Sequence, residues 1–270
     1  MGLELTLRNA PDVPLEAEVL SPDRVAGLSE SDVAKLVVQH GNQQAELGEF
    51  FDVAAGAGGA DLQLIGNLSA VKMIGAGMTR GTVLVDGNVG LHLGHGMSGG
   101  EITVDGNADD WVGPEMSGGR IIVKGNAGHT VGAAYRGSRI GMRGGEIIVH
   151  GNAGNEVGNA MRNGLIAIGG DCGDFAGVNM LAGTIIVLGQ LGLRGGAGMK
   201  RGSIVCMNDA TVLPTFSYAC AIDPVYLRLY LSHLRSFGLH VRDDQITGRY
   251  HRWSGDSVEL NRGELLLFEQ

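Results

Sequence analysis

Cysteine is scarce. The 270 residues hold three, Cys172, Cys206 and Cys220, spaced 34 and 14 apart, with no Cys-x-x-Cys. That spacing excludes a disulfide framework and the usual zinc modules, and points to buried thiols in a reducing compartment. Six prolines are too few for collagen or a stiff linker. Aromatics make up only 5 %, which leaves little for stacking sugars. Positive charge is in deficit: 20 Lys and Arg against 29 Asp and Glu give a net charge of −9. A nucleic-acid or anionic-membrane footprint is therefore absent. No stretch approaches the roughly 20 apolar residues of a membrane span. The opening Met-Gly-Leu-Glu-Leu-Thr-Leu lacks the basic-then-apolar pattern of a signal peptide, so a cytoplasmic protein is expected.

Glycine is what the chain has in excess, with 47 residues, more than twice the usual share of about 7 %. Apolar content is an ordinary 44 %, so the chain is not disordered and can bury a core. Together these suggest many tight turns repeated along a folded chain.

The repeat is explicit. Methionines stand at Met78, Met97, Met116, Met142, Met161, Met180 and Met199, spaced 19, 19, 26, 19, 19 and 19. Three residues after each comes glycine, from Gly81 and Gly100 to Gly202. Two residues on stands Val83, Ile102, Ile121, Ile147, Ile166, Ile185 or Ile204, and two further Val85, Val104, Val123, Val149, Ile168, Val187 or Cys206. A turn column follows: Asn88, Asn107, Asn126, Asn152, Asp171, Gln190, Asp209. A second glycine column precedes each Met, at 75, 94, 113, 132, 158, 177 and 196. Alternation within Glu101-Ile102-Thr103-Val104 marks a strand with one buried face.

Nineteen residues cannot hold a strand–helix–strand crossover with its loops. They suit one coil of an all-β solenoid, a single-stranded right-handed parallel β-helix, with strands stacked about 4.8 Å apart. Stacked asparagines are expected to bridge amide to amide. The expected organisation is an N-terminal strand and cap over 1–55, seven to eight coils over 56–210, and a C-terminal cap over 211–270. Residues 1–9 read as an edge strand and 31–38 as a short helix. A helix over about 224–237, with Pro224 at its first position and Gly238 as its stop, is apolar enough to cover the rod end or meet another chain.

One coil breaks the period. From Gly132 to Met142 the step is ten where in the other units it is three, so seven extra residues lie within 133–141. Insertions in solenoids fall on loops, often on the binding face. This one carries Tyr135, Arg136 and Arg139, with Arg143 just beyond. Arg136 and Arg139 are the candidate binding residues.

Other chemistry is weaker. The Met column reads as adaptable core filling rather than sulfur ligation. Asp86 and Asp105 share a column and could pair for acid–base work, but Lys124 and His150 continue it, as on a solvated mixed-charge face. His92 and His95 lack further metal ligands nearby in the chain. Asp109-Asp110-Trp111 reads as a loop, and Gly56-Ala57-Gly58-Gly59 has no following Lys-Ser/Thr for phosphate. No catalytic residue and no metal ligand is assigned. A glycan-active or glycan-binding β-helix stays open as a rival class.

The Gly-x-x-Met coils, taken with His40-Gly41-Asn42 and Leu47-Gly48-Glu49-Phe50-Phe51-Asp52-Val53, resemble the C subunit of formylmethanofuran dehydrogenase. The resemblance runs from the N-terminal strand to about Pro224. The coils alone also look like the C-terminal β-helix of the glutamate synthase large subunit. The resemblance implies a non-catalytic structural subunit that binds no cofactor alone and assembles with the A, B and D subunits. Such a complex uses a methanofuran-type coenzyme and a metal held in another subunit. In one branch it is a tungsten or molybdenum dehydrogenase. In the methylotroph branch, to which this chain is closer, it is a formyltransferase/hydrolase. There a formyl group passes from formyl-tetrahydromethanopterin to the furan coenzyme and is released as formate. The resemblance gives Arg136 and Arg139 two partners to choose between, the coenzyme's acidic tail or a neighbouring subunit.

Overall fold

The computed structural model describes residues 2–270. The chain is mostly β. Its 13-stranded sheet opens at one edge with Phe51–Ala55, then Leu3–Leu7, then Leu62–Ile65. Thr82–Asp86, Ser98–Val104, Gly118–Val123, Glu146–Val149, Leu165–Ile168, Thr184–Val187 and Arg201–Cys206 follow in chain order. Arg262–Phe268, Tyr250–Gly255 and Ser217–Ile222 complete it. Every neighbouring pair from Leu3–Leu7 to Arg262–Phe268 is parallel. The register follows the sequence columns: Ile102 lies opposite Ile121, which lies opposite Ile147 across the 26-residue unit. A second parallel ladder of single bridges joins Leu68, Val89, Ala108, Ala127, Ala153, Cys172 and Leu191. At a third stacked segment, Gly113 N–H donates to Leu93 C=O and Gly132 N–H to Val112 C=O.

Packing explains why the columns are what they are. All seven repeat methionines are fully buried beside the Val and Ile columns. Each unit's Met reaches over a glycine of the next. A Cβ on Gly119, whose φ is +83°, would lie 2.6 Å from Met97 Cε. On Gly132, at φ +67°, it would lie 2.5 Å from Ile166 Cδ1. Only glycine offers both the left-handed backbone and the empty volume.

The asparagine column works otherwise than expected. Its side chains do not bridge amide to amide. Instead, Asn88 Oδ1 accepts Asn107 N–H at 2.8 Å, Asn107 accepts Asn126 N–H at 2.7 Å, and Asn126 accepts Asn152 N–H at 2.8 Å. Asp171 continues the relay, taking Gln190 N–H at 2.7 Å. The side chain thus satisfies a turn N–H of the following unit, which a carboxylate does as well as an amide.

The ends depart from the sequence expectation in three ways. Leu3–Leu7 is not an edge strand: it sits between Phe51–Ala55 and Leu62–Ile65, and Leu5 is fully buried. Within 31–38 the helix is only Glu30–Ala34, and Val37–His40 is already a strand paired with Gln43–Glu46. The C-terminal helix spans Val225–Ser236, with Pro224 as its N-cap. It does not cover the end of the stack. Leu227, Leu231 and Leu234 pack on the outward side chains Ile148, Ala167, Ile186 and Val205. The strand Arg262–Phe268 takes the end position instead. Hence the later strands are buried on both faces, while Leu84 and Thr103 on the earlier ones are half-exposed. Cys172 and Cys206 are buried as expected, but Cys220 is exposed on the edge strand Ser217–Ile222.

No helix among the described residues is long and apolar enough to cross a membrane.

Replacing Ile121 with Asp places a carboxylate in a fully buried column. An unpaired buried charge costs on the order of 3–5 kcal/mol. Differential scanning fluorimetry should show a melting point lower by about 6–20 °C, or soluble protein should be lost. An unchanged melting point would mean this column does not face the core.

Candidate interaction site at the insertion

The seven extra residues form a loop with a closed stem. Ala134 N–H donates to Asn159 C=O at 3.0 Å, and Gly141 N–H to Ala160 C=O at 2.9 Å. Met142 N–H returns to Gly132 C=O at 2.9 Å. The ladder therefore resumes in phase, and the loop is turned outward.

Tyr135 folds back from the loop onto two earlier units. Its ring stacks on Trp111, with centroids 4.7 Å apart and planes 27° from parallel. It also lies against His92 and His95, at 5.5 and 5.2 Å. Tyr135 Oη and His92 Nδ1 are hydrogen-bonded at 2.9 Å. Glu115 Oε1 accepts Tyr135 N–H at 3.2 Å. His92 and Trp111 occupy one corner column and both have a φ of +65°. This left-handed corner turns their rings toward the loop. The aromatic cluster does not show in the sequence. The 19-residue step between His92 and Trp111 is its only signal there.

Burial holds the cluster's protons. It pushes Tyr135 up to about 12, with Glu115 adding to the shift. It depresses His92, helped by Lys72 and His95 and opposed by Glu16 and Asp110. His92 is thus neutral at pH 7. His95 Nδ1 is buried without a hydrogen-bond partner.

Arg136 and Arg139 are exposed on the loop, away from this cluster's hydrogen bonds. The structure brings together Tyr135, His92, His95 and Trp111, and leaves both arginines facing solvent. Among the described residues no three His, Cys, Asp or Glu side chains are placed to hold a metal. Asp105 is ion-paired with Lys124 at 2.6 Å, as a mixed-charge outer face requires. Asp110 Oδ1 accepts His129 N–H at 2.6 Å and so serves a turn. A cleft of about 780 Å³ opens at the N-terminal end beside Pro22, Leu28, Asp61 and Arg80. Of its acids, Asp61 is engaged with Thr82, and the neighbouring Asp23 with Thr79 and Arg80, while Glu30 stands exposed at its wall.

Comparison with known proteins fits this architecture. The GXGXG motif family model matches residues 101–221. The C subunit of tungsten-containing formylmethanofuran dehydrogenase 2 from Methanothermobacter thermautotrophicus is 39 % identical over 93 residues, covering 33 % of this chain and 34 % of that protein. The C subunit of molybdenum-containing formylmethanofuran dehydrogenase 1 from Methanothermobacter marburgensis is 46 % identical over 94 residues, covering 34 % of this chain and 24 % of that protein. The matched segments span about a third or less of those curated relatives. A chain in the crystal structure of the formyltransferase/hydrolase complex (FhcABCD) from Methylorubrum extorquens, in complex with methylofuran, matches end to end. Its TM-score is 0.91 at 33 % identity, covering 99 % of this chain and 100 % of that one. Fold and repeat define a stacked, glycine-cornered β protein whose residues 101–221 match the GXGXG motif model. The chain belongs to the C-subunit family of formylmethanofuran dehydrogenases and formyltransferase/hydrolase complexes.

Tyr135→Ala removes both the ring stack on Trp111 and the His92 hydrogen bond, and should free the loop without unfolding the stack. In a Trp253→Phe background, the emission of Trp111 should shift and amide exchange should quicken at 135–140. The sign of the pH effect follows from His92. Its folded value lies below the ordinary 6.5, so its stabilising contribution is complete above pH 6.5 and is lost as pH falls through the folded value. Acid below about pH 6.5 should therefore loosen the cluster. A Trp111 signal flat from pH 7.5 to 5 would count against it.

Proposed function

We propose that this chain is a non-catalytic structural subunit, the C subunit, of a cytoplasmic formyltransferase/hydrolase complex of one-carbon metabolism. The complex would transfer formyl from formyl-tetrahydromethanopterin to a methanofuran-type coenzyme and release formate. The observation that carries this reading is the end-to-end match, at 33 % identity, to a chain of the FhcABCD complex crystallised with methylofuran. The matches to tungsten and molybdenum dehydrogenases reach only a third of this chain, which leaves that branch less supported.

The stack is read as a right-handed parallel β-helix over 56–210, flanked by caps at 1–55 and 211–270. The parallel register and the three stacked segments per unit support this reading. The A, B and D subunits are the partners, and the metal and the coenzyme's reacting group belong to them. Arg136 and Arg139 serve either the coenzyme's acidic tail or a neighbouring subunit. Their exposure on a loop the stack does not need for its own packing supports an external role.

Affinity purification at native expression should recover the A, B and D subunits with this chain. The purified chain alone should show no transfer, hydrolysis or redox turnover. Recovery of the chain without those subunits, or turnover by the chain alone, would overturn the reading. Arg136→Ala with Arg139→Ala should weaken salt-sensitive assembly if the loop meets another subunit, or lower retained coenzyme if it meets the tail. Wild-type assembly, coenzyme content and turnover together would remove both roles.

A further inference from the structure

Several charges on this molecule are paired between stacked units. Arg120 lies between Glu101 at 3.0 Å and Glu146 at 2.8 Å, in one column of alternating sign. Glu146 is also held by His233 at 3.0 Å. In the next column Lys124 meets Asp105 at 2.6 Å. Glu264 of the terminal strand takes Arg252 at 2.8 Å.

One column gathers cations that have no such partner among the described residues. The residue after each repeat methionine is Thr79, Ser98, Ser117, Arg143, Arg162, Leu181 and Lys200 in turn. Arg143 and Arg162 are consecutive there. Arg143 N–H donates to Met116 C=O at 2.7 Å, and Arg162 N–H donates to Met142 C=O at 2.8 Å, so the two are one strand spacing apart. Both are exposed. The insertion ends immediately before Arg143 and adds Arg136 and Arg139, also exposed. None of the four forms an ion pair among the described residues, although Asp and Glu outnumber Lys and Arg by 29 to 20. Farther along, Leu181 interrupts the strip, and Lys200 is already within 3.7 Å of Glu259.

Two arginines whose backbones stand about 4.8 Å apart bring like charges close enough to repel, and solvent reduces that repulsion without removing it. Arg201 and Arg262, in register on adjacent strands, are likewise exposed without an ion pair among the described residues. What sets the strip apart is that the loop places two further arginines next to a stacked pair of the same sign. An anionic partner restores the balance. Arginine forks select planar carboxylates, which accept two parallel hydrogen bonds. An extended chain places same-side side chains about 7 Å apart, a spacing flexible arginines can follow.

We propose that Arg136, Arg139, Arg143 and Arg162 form one binding strip, running along the stack from the loop, for an acidic polypeptide segment carrying several side-chain carboxylates. The proposal rests on the external role read for Arg136 and Arg139, and adds Arg143, Arg162 and the class of partner.

The test uses the full-length chain and a fluorescein-labelled hexa-α-glutamate peptide, read by fluorescence anisotropy. Binding is expected at low salt and should weaken as salt rises. Arg143→Gln with Arg162→Gln should weaken it roughly tenfold, as expected for two lost exposed ion pairs of up to about 1 kcal/mol each. Arg24→Gln with Arg262→Gln, away from the strip, should leave binding unchanged. Melting points of both double variants establish that they fold. Equal binding by the strip variant and wild type, or no binding by wild type, overturns the proposal. Equal affinity for a hexa-γ-glutamate or a polyphosphate of matched charge would show general anion capture and also overturn it. Pull-down of the proposed partner subunits separates the two readings: recovery of the A, B and D subunits with no peptide binding removes the strip alone.

Discussion

The structure depends on axial register. Each unit must place its strand, its bridge and its corner one spacing above the previous set, so the residues at each column see nearly the same neighbours. A side chain that fits once fits every time, and one that fails once fails in contact with two others. Backbone pairing alone would tolerate a slip. The Met-over-Gly contact does not in one direction, because moving a unit by one residue that way drives Met97 Cε against Arg120, which carries a Cβ. The side-chain-to-turn hydrogen bonds add a second lock. Asn107 accepts from Asn126 only in register, and a lost acceptor leaves an N–H to be satisfied elsewhere.

This is why so much of the fold was legible in the sequence. A period with a glycine and a methionine at fixed offset writes the register directly, and the inward column Ile102, Ile121, Ile147 is the pairing list itself. What failed to show was whatever joins positions distant in the chain without a period. The helix Val225–Ser236 has three leucines inward and Leu229 77 % exposed, so it reads as amphipathic. Nothing in its own residues says whether the apolar side meets an end or a flank. The clue lies elsewhere, in the outward column. That column runs Leu84, Thr103, Ile122, Ile148, Ala167, Ile186, Val205 and turns continuously apolar after Thr103. Apolar side chains on both faces of a strand mean two covers. For Leu3–Leu7 the alternation was plain, but edge and interior strands alternate alike, so the neighbour was undetermined.

The same division runs through the candidate site. The loop and its arginines were visible as an interruption of period. The Tyr135–Trp111–His92–His95 cluster was not, because it links an aperiodic residue to a corner column whose other members are Met73, Thr130, Glu156, Phe175 and Arg194. A column of mixed type gives no pattern to read. Its shared feature is backbone, a left-handed corner at each unit, and the side chain there is free to vary.

The insertion shows how such a stack acquires something new. A longer unit would shift every later rung unless its extra length were closed off locally. Ala134 and Gly141 both hydrogen-bond to the following unit, to Asn159 and Ala160, so the chain leaves and rejoins the corner at nearly the same place. Across it, Ile121 still pairs with Ile147 and Asn126 still accepts from Asn152. Loop closure of this length costs little, and the cost grows slowly with further residues. The core is therefore indifferent to what the loop carries. Tyr135 then limits where the loop lies, by resting its ring on Trp111 of an earlier unit. A rigid repeat supplies the position, one aromatic contact supplies the orientation, and the outward residues are left to chemistry that the repeat itself does not need.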